Sequence, residues 1–260
     1  ESCPEYFKVK YVDKILPVIP QSINAFLGSL VHESLEWLYE NVKQKNKVEL
    51  DDLIYHFVNN WNKNFSFSLK LPNEEKAENY FNLGIKFLAN YYEKNKPFSD
   101  NTIFIEKNIL FPLEEDYKIT GYIDRLVLNE IGEYEVHDYK TNTNLKNQNE
   151  IDTDRQLAFY HLGLQEIFGS EIKVKLIWHF LAHNKLIYSE RTQEQLNELK
   201  KKTFNLIKKI EATTEWPACS KSWCDWCSYK FVNGIKNPDE LRKTKIKKEL
   251  NGALKKYLVD

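Results

Sequence analysis

Two carboxylates and an amine on neighbouring β-rich segments are the clearest candidates for chemistry. The segment with Asp124 leads to a turn around Ile131, and the return segment carries Asp138. In an antiparallel hairpin centred on Ile131, the two carboxylates lie opposite each other, with Cβ atoms about 4.5–5.5 Å apart. Such close carboxylates repel unless a proton or a cation lies between them. Hard oxygen ligands favour Mg²⁺ or Mn²⁺, so the spacing predicts a divalent-metal site.

Lys140 follows Asp138 by two residues and therefore points to the same face of the strand. An ammonium group beside a bound cation can orient a water molecule and stabilise the charge that develops during phosphoryl chemistry. The alternative is an ordinary surface hairpin, in which Lys140 forms a salt bridge with Asp124 or Asp138.

The rest of the chain must supply the elements that position these groups. Apolar periodicity predicts helices at about 22–44, 50–66, 74–95, 152–168, 193–213 and 239–258, and strands at about 103–105, 117–128, 133–139, 172–181 and 185–191. Helices first, then a small sheet, then mixed elements favour one α/β domain over residues 1–260. We expect a helical insert at about 45–97.

Composition limits the classes of function. The chain has 260 residues, 42% of them hydrophobic, which excludes wholesale disorder. Its net charge is −1, so any contact with nucleic acid must come from a local basic patch. No apolar run approaches the ~18 residues that a membrane span needs, and the opening residues lack the features of a signal peptide. We therefore expect an intracellular protein without a membrane segment.

Four cysteines form the second candidate site. They are Cys3, Cys219, Cys224 and Cys227, and the last three lie within one short segment at about 215–235. A secreted disulfide scaffold would be shorter and richer in cysteine. Clustered thiols without an export signal indicate a metal or an iron–sulfur cluster, and the alternative is ordinary reduced thiols.

Five motifs, in order along the chain, carry a resemblance to a known family. They are Cys3-Pro4-Glu5-Tyr6-Phe7, Gly28 with His32, Asp124 with Asp138-Tyr139-Lys140-Thr141, Gln156 with Tyr160, and Cys224-Asp225-Trp226-Cys227. Together they resemble the PD-(D/E)XK nuclease superfamily, in its RecB-like exonuclease branch. The resemblance implies a restriction-endonuclease-like α/β core, which is a small mixed sheet flanked by helices, with the helical insert near the N-terminus.

The resemblance also implies a role for each matching residue. The metal ligands would be His32, Asp124, Asp138 and the backbone carbonyl of Tyr139. Lys140 would position or activate the attacking water.

Two further matches lie on the helix that follows the catalytic strand. Gln156 and Tyr160 are one turn apart, and the resemblance implies that they hold the DNA backbone or groups around the metal. Read alone, they are more simply a packing pair on a helix. Read alone, His32 is likewise more simply a histidine with ordinary partners in the fold.

In the iron–sulfur members of this branch, one N-terminal cysteine joins three C-terminal ones around a [4Fe–4S] cluster. Cys3, Cys219, Cys224 and Cys227 supply the four thiolates. The pattern departs from the family at Asn233, which stands where the last cysteine is expected, while Cys219 precedes the pair. Cys219 as the fourth ligand, a labile cluster, a Zn²⁺ site and no metal at all remain open.

The resemblance thus implies a Mg²⁺- or Mn²⁺-dependent DNA nuclease. We expect an exonuclease that prefers single strands and acts in DNA repair, recombination or related processing. No helicase motif is present, so a helicase or other repair partner would be a separate protein. The alternatives are a non-catalytic DNA-binding or helicase-partner subunit on the same fold, and a structural module held together by zinc or a cluster.

Overall fold

The computed structural model describes residues 3–14, 21–72, 75–114 and 116–218. The chain divides into two compact units, one of residues 1–20 with 209–260 and one of residues 21–208. In the first unit, helix α1 (Pro4–Phe7) continues into a π-helical turn over Lys8–Val12. The predicted helix at 239–258 lies outside the described residues.

A five-stranded mixed sheet forms the centre of the second unit. Its strands follow the chain order: β1 (Thr102–Pro112), β2 (Lys118–Leu128), β3 (Tyr134–Lys140), β4 (Val174–Phe180) and β5 (Lys185–Ser189). Strands β3 and β4 are parallel, and the other neighbours are antiparallel. A parallel pair needs a long crossover, which here contains helices α5 (Gln148–Asp152) and α6 (Arg155–Phe168). The predicted α/β class is confirmed.

The hairpin of β2 and β3 has the predicted register. Arg125 pairs with His137 and Leu128 pairs with Tyr134, so the hairpin is centred on Ile131. The ladder ends at the pair of Arg125 and His137, one position before the two carboxylates of the predicted site. These carboxylates therefore lie where the two strands begin to separate.

Three long helices precede the sheet: α2 (Ile23–Lys43), α3 (Leu50–Asn64) and α4 (Ala77–Asn95). Helix α2 begins after Ser22, whose hydroxyl accepts a hydrogen bond from the amide of Ala25. The three helices share an apolar core that includes Phe26, Leu35, Phe57, Trp61 and Phe87. Helices α3 and α4 lie in the range that we expected to form an insert.

A second apolar core packs α6 against the sheet. Val136 of β3 belongs to this core, whereas Tyr139 of the same strand belongs to the core of the three long helices. Because side chains alternate along a strand, the sheet lies between the two cores.

The crossover helix differs from the prediction. The sequence predicted one helix at 152–168, but α5 ends at Asp152 and α6 starts at Arg155. Asp154 separates them because its side chain accepts a hydrogen bond from the amide of Gln156 and so caps α6. After β5, helix α7 covers Gln193–Glu211. Within the described ranges, no helix is both long enough and apolar enough to cross a membrane.

Candidate metal-binding active site

Three side chains from three elements converge beside the end of β3. Helix α2 provides His32, β1 provides Glu106 and β2 provides Asp124. The Nδ1 atom of His32 lies 3.5 Å from Asp124 Oδ2 and 4.0 Å from Glu106 Oε1. One potential ligand atom from each residue lies within 4.8 Å of the other two. A nitrogen and two carboxylate oxygens at this spacing can hold a divalent cation such as Mn²⁺ or Mg²⁺.

The backbone of Tyr139 connects two of these residues. Its amide donates a hydrogen bond to Asp124 Oδ2 at 2.8 Å. Its carbonyl oxygen lies 2.8 Å from His32 Nε2, which donates to it. This bond leaves Nδ1 as the His32 nitrogen that faces the carboxylates. The predicted ligand carbonyl is thus held against the predicted ligand imidazole.

Next to this group, Asp138, Lys140, Gln156 and Tyr160 form a connected set. Lys140 Nζ lies 2.7 Å from Asp138 Oδ2 and donates to Gln156 Oε1 at 2.9 Å. The side-chain nitrogen Nε2 of Gln156 donates to Asp138 Oδ1 at 3.0 Å and to the Tyr160 hydroxyl at 3.2 Å. The structure therefore brings together every site residue predicted within residues 21–208. It also contains the salt bridge from Lys140 to Asp138 that we considered as the alternative.

Glu106 was missed by sequence reasoning. It lies opposite Asp124, because the flanking pairs join Ile105 with Arg125 and Lys107 with Ile123. Its backbone has φ = +44°, in the left-handed region that a residue with a side chain rarely adopts. Such outliers concentrate at functional sites.

The left-handed residue changes the phase of side-chain alternation along β1. Before it, even-numbered Phe104 packs with Phe168 of α6. After it, odd-numbered Ile109 and Phe111 are buried in the same core. The sequence itself does not show this change of phase, because Ile103, Phe104 and Ile105 are all apolar.

The electrostatics of the cluster favour a cation. Burial and the nearby Asp124 carboxylate raise the pKa of Glu106 to about 7, against the opposing influence of His32. Burial also raises the pKa of Asp138 above its ordinary value; Lys140 opposes this effect, and Asp124 adds to it. A divalent cation would relieve this repulsion between carboxylates, so the residues present fit a metal ion.

The pKa of His32 also indicates that the carboxylates of the site attract a positive charge. Burial by itself disfavours the charged imidazole, but the hydrogen bond and charge of Asp124 outweigh it and raise the pKa of His32 to about 9. The imidazolium thus occupies the electrostatic role that a bound cation would take over.

Two glycines allow the close packing around the site. Gly28 lies one turn before His32, and a Cβ atom there would be 3.2 Å from Thr141 Oγ1. At Gly121 of β2, a Cβ atom would be 2.7 Å from the ring of Tyr160. The first lets α2 approach the end of β3, and the second makes room for the tyrosine of the predicted motif.

A cleft gives access to the site along α2. Its lining consists of Gly28, Ser29, His32, Glu33, Glu36 and Glu106. Because His32 and Glu106 belong to this lining, the potential ligands face open space, where an extended substrate could approach them.

The predicted cysteine site is described only at Cys3. This residue is buried, directly precedes α1 and forms no disulfide bond within the part of the chain that the structure describes. Cys219, Cys224 and Cys227 lie outside the described residues.

Comparisons with known proteins agree with the fold and the motifs. The sequence profile of the PD-(D/E)XK nuclease superfamily matches residues 1–232. The structure resembles the crystal structure of a protein from Eubacterium rectale whose assignment as an exonuclease is provisional, with a TM-score of 0.50 and 13% sequence identity. The alignment covers 87% of this chain and 80% of that chain. No curated protein sequence matches this chain.

At 13% identity, the structural likeness shows the fold, which is the expected restriction-endonuclease-like core: a mixed five-stranded sheet flanked by helices. The profile match extends over most of the chain and includes the motifs of β2, β3 and α6. The chain belongs to the PD-(D/E)XK nuclease superfamily.

Proposed function

We propose that this protein is a divalent-metal-dependent nuclease that hydrolyses phosphodiester bonds in DNA. The observation that supports this most strongly is the convergence of His32, Glu106 and Asp124 beside the paired Asp138 and Lys140. Nuclease families of this kind act on DNA phosphates, and the cleft along α2 offers a path for a strand to reach the cluster.

The residues divide into two functional groups. His32, Glu106 and Asp124 would hold a Mg²⁺ or Mn²⁺ ion, together with Asp138 and the carbonyl of Tyr139. When bound, the ion supplies Lewis-acid activation of the phosphodiester and a more acidic water molecule. For His32, Glu106 and Asp124 this proposal rests on their short mutual distances. For Asp138 and the Tyr139 carbonyl it rests on the resemblance.

Lys140 would act on the water or on the phosphate. Its ammonium group is held between Asp138 Oδ2 and Gln156 Oε1, which fixes its direction without removing its third proton from use. That proton can hydrogen-bond to the attacking water or to a phosphate oxygen that gains negative charge. Gln156 orients both Lys140 and Asp138, and Tyr160 supports Gln156.

The finer assignment also forms part of the proposal. We expect an exonuclease that prefers single-stranded ends, in DNA repair, recombination or related processing, beside a helicase or other repair protein. The resemblance to the RecB-like branch supports this assignment.

We propose further that Cys3, Cys219, Cys224 and Cys227 bind a [4Fe–4S] cluster. The amide of Glu5 donates to the carbonyl of Pro217 at 3.3 Å, and Phe7 stacks with Trp216. The segment that leads to Cys219 thus packs on the helix that follows Cys3. A visible absorption shoulder in anaerobically purified protein, lost in Cys3→Ser, is the expected result, and bound zinc without that absorption would contradict the cluster.

A cleavage assay tests the proposed nuclease activity. The substrates are single-stranded and duplex oligonucleotides labelled at either end, with Mn²⁺, Mg²⁺ or a chelator. The wild-type protein should cut the single strand from its ends when Mn²⁺ or Mg²⁺ is present. It should show no cleavage when the chelator removes the metal. Asp138→Ala and Lys140→Ala should each cut at least about a hundredfold more slowly, because they remove a proposed ligand and the proposed charge stabiliser.

Lys175→Ala is the matched control, because this lysine lies at the far end of the neighbouring strand β4 and pairs with Glu135. It should cut like wild type. Cleavage at equal rates by wild type and Asp138→Ala would show a contaminating nuclease and contradict the assignment. DNA binding by wild type without cleavage under any metal would instead support the non-catalytic subunit.

A further inference from the structure

A cluster of buried polar side chains lies behind the candidate site, and the proposed chemistry does not use these side chains. Its members are Tyr39 of α2, Tyr91 of α4, Arg125 of β2 and Tyr139 of β3, none more than 4% exposed. The Tyr39 and Tyr91 hydroxyls are 2.7 Å apart, and the Tyr91 and Tyr139 hydroxyls are 3.0 Å apart. Arg125 Nε donates to the Tyr139 hydroxyl at 3.0 Å.

The guanidinium of Arg125 is fixed on every side. It donates to Asp100 Oδ2 at 2.6 Å, to Thr102 Oγ1 at 3.2 Å and to His137 Nδ1 at 3.0 Å, and it lies 4.2 Å from the centre of the Tyr39 ring. A buried charge is costly unless it is paired and hydrogen-bonded. These contacts satisfy it and therefore give the Tyr139 hydroxyl a fixed partner.

Tyr139 connects this cluster to the site. Its side chain is held at the hydroxyl by Arg125 and Tyr91. Its backbone amide donates to Asp124, and its carbonyl accepts from His32. One residue therefore joins two proposed ligands at its backbone and the inner side of α4 at its side chain.

We propose that Tyr91 and Arg125 are positioning residues for the metal site, which act through the Tyr139 hydroxyl. By fixing that hydroxyl, they fix the strand end whose peptide groups orient Asp124 and His32. Helix α4 of the expected insert is then part of the support of the site, as outer hydrogen-bond partners are in other metal sites. This inference rests on the proposed function in one respect, namely that the cluster binds a divalent cation.

Three tyrosine-to-phenylalanine variants test the inference. Tyr91→Phe and Tyr139→Phe each remove one hydroxyl from the series of hydrogen bonds that leads to the site. Tyr92→Phe is the matched control: Tyr92 is the next residue of α4, is also buried, and donates to the carbonyl of Val48 instead. Mn²⁺ binding to the 260-residue chain is measured by electron paramagnetic resonance, and thermal unfolding is measured without metal.

We expect Tyr91→Phe and Tyr139→Phe to bind Mn²⁺ about tenfold more weakly than wild type. Tyr92→Phe should keep the wild-type affinity for Mn²⁺. Its melting temperature should fall by about as much as the melting temperatures of Tyr91→Phe and Tyr139→Phe. Equal Mn²⁺ affinity in all four proteins would overturn the positioning role and leave the proposed nuclease site intact. An equal loss of Mn²⁺ affinity in all three variants would also overturn it, because the loss of affinity would then follow from lower stability alone. Absence of Mn²⁺ binding in the wild type would overturn both proposals.

Discussion

At the residue scale, the site combines side chains that follow from strand alternation with one that does not. Asp138 and Lys140 could be predicted because residues two apart on a strand share a face, and the hairpin register set Asp124 near them. Glu106 could not be predicted in the same way, since its left-handed backbone breaks the alternation on which the argument depends. We infer its role as a metal ligand from its position opposite Asp124 on the neighbouring strand.

Glu106→Gln should weaken Mn²⁺ binding by about tenfold or more and slow cleavage in parallel. Glutamine keeps the length and polarity of the side chain but removes the charge that shares the cation with Asp124. The measurement is an Mn²⁺ titration alongside the oligonucleotide assay. Glu33→Gln is the control, because Glu33 lines the same cleft but is absent from the group of three ligand atoms. Equal affinities in the two variants would contradict a ligand role for Glu106.

At the element scale, the site depends on how closely α2 approaches the end of β3. Gly28 sets this distance, since a Cβ atom there would already be 3.2 Å from Thr141 Oγ1. This steric contact explains why a glycine is needed at position 28 of the motif.

Gly28→Val should move His32 away from the strand and weaken Mn²⁺ binding. The added methyl groups cause overpacking, which costs about 1–3 kcal/mol, and the helix can relieve it by shifting outward. Ala25→Val, on the exposed side one turn earlier, should leave the affinity unchanged. If Gly28→Val binds Mn²⁺ like wild type, the close approach is not needed for the site.

The sequence specified most elements because their signals were local. The helices at 23–43, 50–64 and 77–95 follow from apolar periodicity, and the β2–β3 register follows from the turn. The break between α5 and α6 was missed because Asp154 acts as a cap only through its hydrogen bond to a backbone amide. An acidic residue inside an apolar periodic stretch does not distinguish a cap from an exposed helical position.

At the scale of the whole molecule, a buried histidine makes stability depend on pH. His161 of α6 is 4% exposed, and neither ring nitrogen has a hydrogen-bond partner among the described residues. Burial lowers its pKa to about 4, from 6.5 for an exposed histidine. Below about pH 6.5, the unfolded chain takes up a proton that the folded chain does not. The free energy of unfolding must therefore fall as the pH falls towards 4, and this contribution levels off below 4.

His161→Leu should remove this part of the pH dependence. Between about pH 7 and pH 4.5, wild type should lose about 2–3 kcal/mol more of its free energy of unfolding than the variant. Urea unfolding at several pH values measures the difference. Parallel pH profiles for the two proteins would show that His161 does not remain neutral in the folded state.

The motifs could be combined into a site only at this scale. His32, Asp124 and Gln156 are far apart in sequence, and no local pattern says that α2, β2 and α6 meet. The resemblance supplied that arrangement, and the fold explains it, since His32 of α2 contacts the Tyr139 carbonyl and Gln156 of α6 contacts Lys140, both at the end of β3.

The central claim is that a divalent cation binds between α2 and the first three strands. Crystals soaked in Mn²⁺ test it most directly, through the anomalous scattering of the metal. The account predicts one strong anomalous peak within bonding distance of His32 Nδ1, Glu106 and Asp124. A fully occupied Mn²⁺ peak elsewhere, with none at these three side chains, would contradict it.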